Sequence, residues 1–240
     1  NAYMAAIVLM KGAIRADSLR ACASAILDYT SEAGHKAQNR TWVSMAPIHR
    51  GCIEDRAYWI NRGYASMVTS LNLVTGANEE GIKPDNSFHQ HNAQIQIGSY
   101  GKAMIEDHAD YMLLANGTQF ANFYDYDRRQ AVTNIMLNGL QLLSYKNQTD
   151  FGVVGRALAR HNGTINISTL ALEKMKLNQP DSATAYENWK NHISGSAVYP
   201  AYYTGATHFW KSDILSYRGG NYYLSAKVIS NRTYGTEMLN

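Results

Sequence analysis

The sequence predicts a mainly α-helical fold that gives way, toward its C-terminal end, to antiparallel β-structure. Three observations carry this reading: helical periodicity over residues 1–145, polar glycine-bearing connections between the periodic stretches, and a change to β-branched and aromatic runs after Pro200. In the first region Ile53, Ile60, Tyr64, Met67, Val68, Leu71 and Val74 fall on three- and four-residue steps, and Val132, Ile135, Met136, Leu140 and Leu143 repeat the pattern. That spacing lines one face of a helix with apolar side chains. The connections are Glu32–Arg40, Thr75–Ser99, Asn116–Asp127 and Lys146–Gly155, so the helices are read as hairpins joined by long loops. After Pro200, Ile214–Tyr217 and Tyr222–Ile229 flank Gly219-Gly220-Asn221, which reads as strand, turn and strand. Helices in one block and strands in the next indicate an α domain joined to a β domain and not an alternating parallel sheet. Helical hairpins in series build a solenoid or toroid without visible identity between units.

Composition narrows the function classes. With 240 residues, 45% hydrophobic and 17% charged, the chain can bury a substantial core. The net charge of +3 is scattered and forms no basic stripe, which argues against a nucleic-acid partner and still suits a polyanion. Tyrosine outnumbers phenylalanine 17 to 5, and its apolar face with a polar tip suits sugar contact. Cys22 and Cys52 match no disulfide framework or metal motif and are expected to be buried thiols. No stretch approaches a membrane-spanning run. The apolar Ala5–Met10 lacks the basic region and cleavage site of a signal peptide and reads as a helix. Both chain ends are read as cuts inside a larger protein.

The most informative segment is the polar loop from Glu80 to Gly101, holding His89 and His91 and ending in Ser99-Tyr100-Gly101. Loops on a rigid scaffold are where catalytic groups concentrate. The His-x-His pair alone favours a structural or surface role, since no cysteine or acidic cluster completes a metal site. Together, however, Asp85, Ser87, Phe88, Gln90, His91 and, nine residues on, Tyr100 of a Tyr-Gly pair resemble the central motif of polysaccharide lyase family 8, which includes hyaluronate, chondroitin AC and xanthan lyases. The resemblance implies that Tyr100 is the general acid and base and that His91 sits beside the uronate ring; His89 falls on a variable position and is given no catalytic role. It also implies a catalytic asparagine about fifty residues upstream of the histidine, at the start of a helix. Thr75-Gly76-Ala77-Asn78 has the family's string but lies only thirteen residues before His91, whereas Asn39 has the spacing. Asn39 is therefore chosen.

Gly155-Arg156 through Arg160 resembles the family's Gly-Arg-x-x-x-Arg element, and in a helix both guanidinium groups would share a face. Read alone this is a solvated basic surface; read with the family it captures a carboxylate or sulfate. Ser230-Asn231-Arg232 through Asn240 resembles the start of the family's β domain, with Glu237 orienting the tyrosine and arginine and Asn240 beside the substrate. Arg160, Gln90 and Trp42 complete the expected substrate contacts.

The implied scaffold is an incomplete α/α toroid of helical hairpins over residues 1–195, followed over 196–240 by the first strands of an antiparallel β-sandwich domain. The implied activity is β-elimination on uronate-containing glycosaminoglycans. Such chemistry must neutralise the uronate carboxylate, for which a neutral amide (Asn39) and His91 are suited, and must move the C5 proton to a base. Tyr100, its ionised form favoured by Arg156 and Arg160, could take that proton and then protonate the leaving O4; a division with His91 as base and Tyr100 as acid stays open. No cofactor is required, although structural calcium is possible. The expected partner is an anionic polysaccharide, the protein a monomer, and its place outside a bacterial cell or in the periplasm, because these polymers cannot enter intact. Nine residues put His91 and Tyr100 on opposite sides of an ideal helix or strand, so they meet only if the loop turns. Xanthan lyase is the nearest alternative. A glycoside hydrolase would need two flanking carboxylates from among Glu79, Glu80, Asp85, Glu106 and Asp107, and a binding module would not need the whole constellation.

Overall fold

The computed structural model describes residues 2–28, 32–159, 166–195 and 204–235. Its helices are α1 (Ala2–Leu9), α2 (Ala16–Asp28), α3 (Ala37–Glu54), α4 (Ala57–Met67), α5 (Lys102–Ala115), α6 (Tyr126–Asn134), α7 (Thr169–Asn178) and α8 (Ala183–Ile193). They form an incomplete α/α toroid. The apolar pattern from Ile53 to Val74 spans two helices: Asp55 takes a left-handed φ of 54° and its N–H closes back on the Gly51 carbonyl, so α3 ends there and α4 folds back beside it. Glycines permit the contact, since a Cβ on Gly51 would strike Ile60 and one on Gly63 would strike Ile48 and the Ser44 carbonyl. α7 and α8 pack as a second such pair.

Long connections carry short strands. β1 (Gly81–Ile82) pairs with β2 (Phe88–His89), and β3 (Ser144–Tyr145) with β4 (Gln148–Thr149), both antiparallel. Near the C-terminus β5 (Gly205–Phe209), β6 (Ile214–Arg218) and β7 (Tyr223–Lys227) form an antiparallel meander in that order. β6 and β7 are the expected pair about Gly219–Asn221, where the Gly219 N–H bonds the Tyr222 carbonyl. β5 escaped the sequence reading because Gly-Ala-Thr-His-Phe has little β-branched character; its register on β6, from Gly205 opposite Arg218 to Phe209 opposite Ile214, is what makes it a strand.

One hydrophobic core runs from Met45 and Ile48 of α3 through Phe88, Ile97, Met104 and Trp189 to Phe209 and Ile214 of the sheet. A smaller cluster of Ile7, Leu19, Ala23 and Ile53 seats α1 and α2. Helices and sheet thus share a core, and Arg218 is buried at their junction, donating to the Gln141 carbonyl at 2.9 Å. Cys22 and Cys52 are free and only partly buried, a correction to the expected buried thiols. No helix among the described residues is long and apolar enough to cross a membrane.

Two core histidines make stability sensitive to acid. His108 is buried against Ser70 and Tyr124, with ring-nitrogen contacts of 2.8 and 2.9 Å, and burial lowers its pKa to about 3; burial likewise lowers His89 to about 4. Both fall below the unfolded value, so the unfolded chain takes up protons that the fold refuses, and stability is lost as pH falls from about 6.5 toward 4. Asp107, pushed up to about 6 by burial, opposes this with one proton over the lower part of that window. Burial also lowers His49 and raises Glu106, so three lowered histidines stand against two raised carboxyls and the net effect is a loss of stability as pH falls from about 6.5. Urea midpoints measured at pH 7.5, 6 and 5 check this; midpoints that do not fall would refute it.

Candidate active site

The loop between β1 and α5 is held from beneath before it reaches the surface. Asp85 Oδ1 accepts from the Ser87 N–H and hydroxyl at 3.1 and 2.7 Å, and Oδ2 from the Lys211 N–H at 2.6 Å. Ser212, in the β5–β6 turn, donates to Ser87 Oγ at 2.7 Å and meets His89 Nε2 at 2.8 Å. Ser87, His89 and Ser212 are fully buried. The Asp-x-Ser-Phe-His half of the sequence motif therefore ties the loop to the β-sheet, and His89, to which the sequence reading gave no catalytic role, is part of that anchor.

Beyond His89 the chain reverses. His91 and Asn92 both take left-handed φ values, 57° and 66°, and the Gln96 N–H returns to the Phe88 carbonyl at 2.9 Å. A π-helical turn over Ile97–Gly101 then leads into α5. It is crowded from outside, since a Cβ on Gly139 would strike the Asn86 carbonyl and Ile97. This reversal supplies the turn that spacing alone could not: the His91 and Tyr100 rings lie 5.0 Å apart, edge to face at 63°.

Three further elements converge on Tyr100. Arg156 Nη2 donates to the Tyr100 hydroxyl oxygen at 2.9 Å. Its neighbour Gly155 adopts a φ of +55°, and a Cβ there would meet Gln96 Oε1 at 2.7 Å, so glycine lets the arginine segment lie against the loop. Trp42 of α3, partly exposed, stands 5.8 Å from the Tyr100 ring. Asn39, partly buried in the first turn of α3, is three residues before Trp42 and so shares its helix face. Asn78 is exposed in the loop before β1, where its amide oxygen accepts from the Tyr234 hydroxyl at 3.5 Å. The structure thus brings together His91, Tyr100, Arg156 and Trp42, with Asn39 on the adjoining turn. Arg160, Glu237 and Asn240 lie outside the described residues.

Gln90, expected at the substrate, is fully buried and sits behind the site: its Oε1 accepts from the Gln38 N–H at 3.3 Å and its Nε2 donates to Glu80 at 2.6 Å. Gln96, which the sequence reading passed over, is also buried; it accepts from the Ser99 hydroxyl at 3.1 Å and approaches His91 Nδ1 at 3.5 Å. Its one sequence signal was indirect, a glycine immediately before Arg156. Four of the five carboxylates weighed for a hydrolase are engaged elsewhere: Glu79 by the Gly76 N–H, Glu80 by Gln90 and the Asn92 N–H, Asp85 by Ser87 and Lys211, and Asp107 by Gln38. Among the described residues no group of three or more His, Cys, Asp or Glu is placed to hold a metal ion.

A phenol receiving a guanidinium hydrogen bond, flanked by an imidazole and an indole on a toroid of helical hairpins, is equipped to move a proton. The fold is one shared with polysaccharide lyases. It matches a chondroitinase AC lyase solved with oligosaccharides (TM-score 0.77, 18% identity, 85% of this chain and 30% of the other). It also matches the Streptomyces coelicolor A3 chondroitin AC lyase (0.75, 16%, 99% and 38%) and the Paenibacillus xanthan lyase (0.65, 18%, 85% and 22%). The family model for the N-terminal α-helical domain of polysaccharide lyase family 8 matches residues 4–194, and the chain belongs to that family. It spans between 22% and 38% of the lengths of the three solved proteins. A sequence comparison with curated proteins gives no match.

Proposed function

We propose that the protein cleaves uronate-containing glycosaminoglycans of the chondroitin and hyaluronan type by β-elimination, with Tyr100 as the proton-transfer residue. The observation that carries this reading is the Tyr100 hydroxyl accepting from Arg156 at 2.9 Å with His91 edge-on to its ring. A guanidinium donating to the phenol oxygen stabilises negative charge there, which lets Tyr100 take the C5 proton. As that C–H bond breaks, its electron pair forms the C4–C5 double bond and the C4–O4 bond breaks; the tyrosine proton passes to O4. Asn39 and His91 meet the uronate carboxylate and offset the charge that builds on it during the transfer. Arg160, Glu237 and Asn240 are proposed to complete the cleft, and Trp42 to stack on a sugar ring. Neither proton transfer calls on a metal or organic cofactor. Its polymeric substrate places such an enzyme outside the cytoplasm.

Xanthan is the second reading, supported by the likeness to a xanthan lyase. Incubating the full-length protein separately with hyaluronan, chondroitin sulfate and xanthan, and following unsaturated-uronate absorbance, tests both. A rise on hyaluronan or chondroitin sulfate upholds the first reading and a rise on xanthan alone the second. Reducing ends without that absorbance would mean hydrolysis and overturn the lyase.

A further inference from the structure

Two successive left-handed residues without glycine, His91 and Asn92, are costly in backbone energy and need an external hold. Glu80 supplies one. Its Oε2 accepts from Gln90 Nε2 at 2.6 Å and its Oε1 from the Asn92 N–H at 3.1 Å, so one carboxylate grips the residues on both sides of His91. The same Gln90 amide accepts from the Gln38 N–H, one of the first-turn amides of α3 that lack a helical partner, and Lys36 at the helix start offers no side-chain cap in its place. Gln38 then donates to Asp107 Oδ2 at 2.6 Å, and Trp42, one helical turn on from Gln38, favours the charged form of the same carboxylate. A continuous chain therefore links the residue before β1, the His91 turn, the first turn of α3 and α5.

We propose that Glu80, Gln90, Gln38 and Asp107 form the positioning network of this site, Glu80 fixing the turn that aims His91 and Asp107 fixing the α3 turn that carries Asn39 and Trp42. The inference rests on the lyase reading for its effect on turnover; its effect on Trp42 is independent of that reading. The surroundings of Asp107 define how it titrates. Its own helix supplies Glu106, Asp110 and Tyr111, the segment before α6 supplies Tyr124, and α3 presents the uncharged Gln38 and Trp42. Lys174 of α7 is paired with Asp110. Burial, the largest influence, raises the carboxyl to about 6, so the hydrogen bonds to its charged form weaken as pH falls through that value.

The test uses the full-length protein and four variants: Glu80→Gln, Asp107→Leu, Asp107→Asn and Trp42→Phe. Glu80→Gln sets an amide donor among donors, and Asp107→Leu removes the acceptor. Each is expected to lower kcat about tenfold or more with KM within about threefold, the mark of lost alignment and not of lost binding. Asp107→Asn keeps an acceptor for Gln38 and recovers most of that kcat. Trp42 emission, taken as wild type minus Trp42→Phe, is expected to change with a midpoint near pH 6 and to lose that step in Asp107→Asn. Unchanged kcat in both Glu80→Gln and Asp107→Leu, or a Trp42 emission step that survives in Asp107→Asn, would overturn the network. If the wild type cleaves no polymer, the lyase reading fails, while the emission step still decides the Asp107 arm of the network: its loss in Asp107→Asn upholds that arm, and its absence from the wild type overturns it.

Discussion

Replacing Tyr100 by phenylalanine is expected to lower kcat/KM of the proposed elimination by about 10³-fold, since acid–base catalysis by one positioned group is worth about 10² to 10⁴. That corresponds to about 4 kcal/mol of transition-state stabilisation. The substitution removes the oxygen that accepts from Arg156 and leaves the ring, which packs beside Trp42 and His91. The fold should therefore persist and KM should change little, because a proton transfer matters in the transition state and not in binding. Steady-state kinetics on the purified variant, with a thermal melt as control, decide the matter. Activity within tenfold of wild type would move the base to His91 and leave Tyr100 a lesser part.

The second large effect is expected at Asn39. Asn39→Ala should cost about 10²- to 10³-fold in kcat, the range for removing one preorganised donor from a site where charge develops. Asn78→Ala should leave kcat and KM near their original values. The basis is placement. Asn39 is in the first turn of α3, on the face of Trp42 and next to Gln38, which bonds to the residue before His91. Asn78 is exposed in the loop before β1 and meets Tyr234. The Thr-Gly-Ala-Asn string attaches to Asn78 and the spacing to Asn39, so the paired variants separate a local likeness from a positional one. Loss at Asn78 with retention at Asn39 would reverse the assignment and require the loop before β1 to face the substrate.

Much of the scaffold was legible because its signals are local. Three- and four-residue apolar steps marked the helices, and the aromatic run about Gly219–Asn221 marked β6 and β7. Where a single residue breaks the helix, as Asp55 does with its left-handed φ, apolar spacing runs on and does not mark the boundary between α3 and α4. β5 failed for the opposite reason, since its stability comes from the ladder on β6 and not from its own residues.

The site divides along the same line. By itself the sequence determined the block order of helices before the β6–β7 pair, the family likeness and the candidates His91, Tyr100, Arg156 and Asn39, because periodicity and motif spacing are properties of neighbours along the chain. Only the tertiary structure decided which of those groups meet. Arg156 reaches Tyr100 across 56 residues, Gln90 caps α3 across 52, and Gln38 finds Asp107 across 69. It also moved Gln90 from the expected substrate contacts to a buried support, and showed Ser87 and His89 anchoring the loop to Ser212. The physical reason is that a buried polar group must find a partner wherever the packed core brings one, and that choice is made by the fold as a whole.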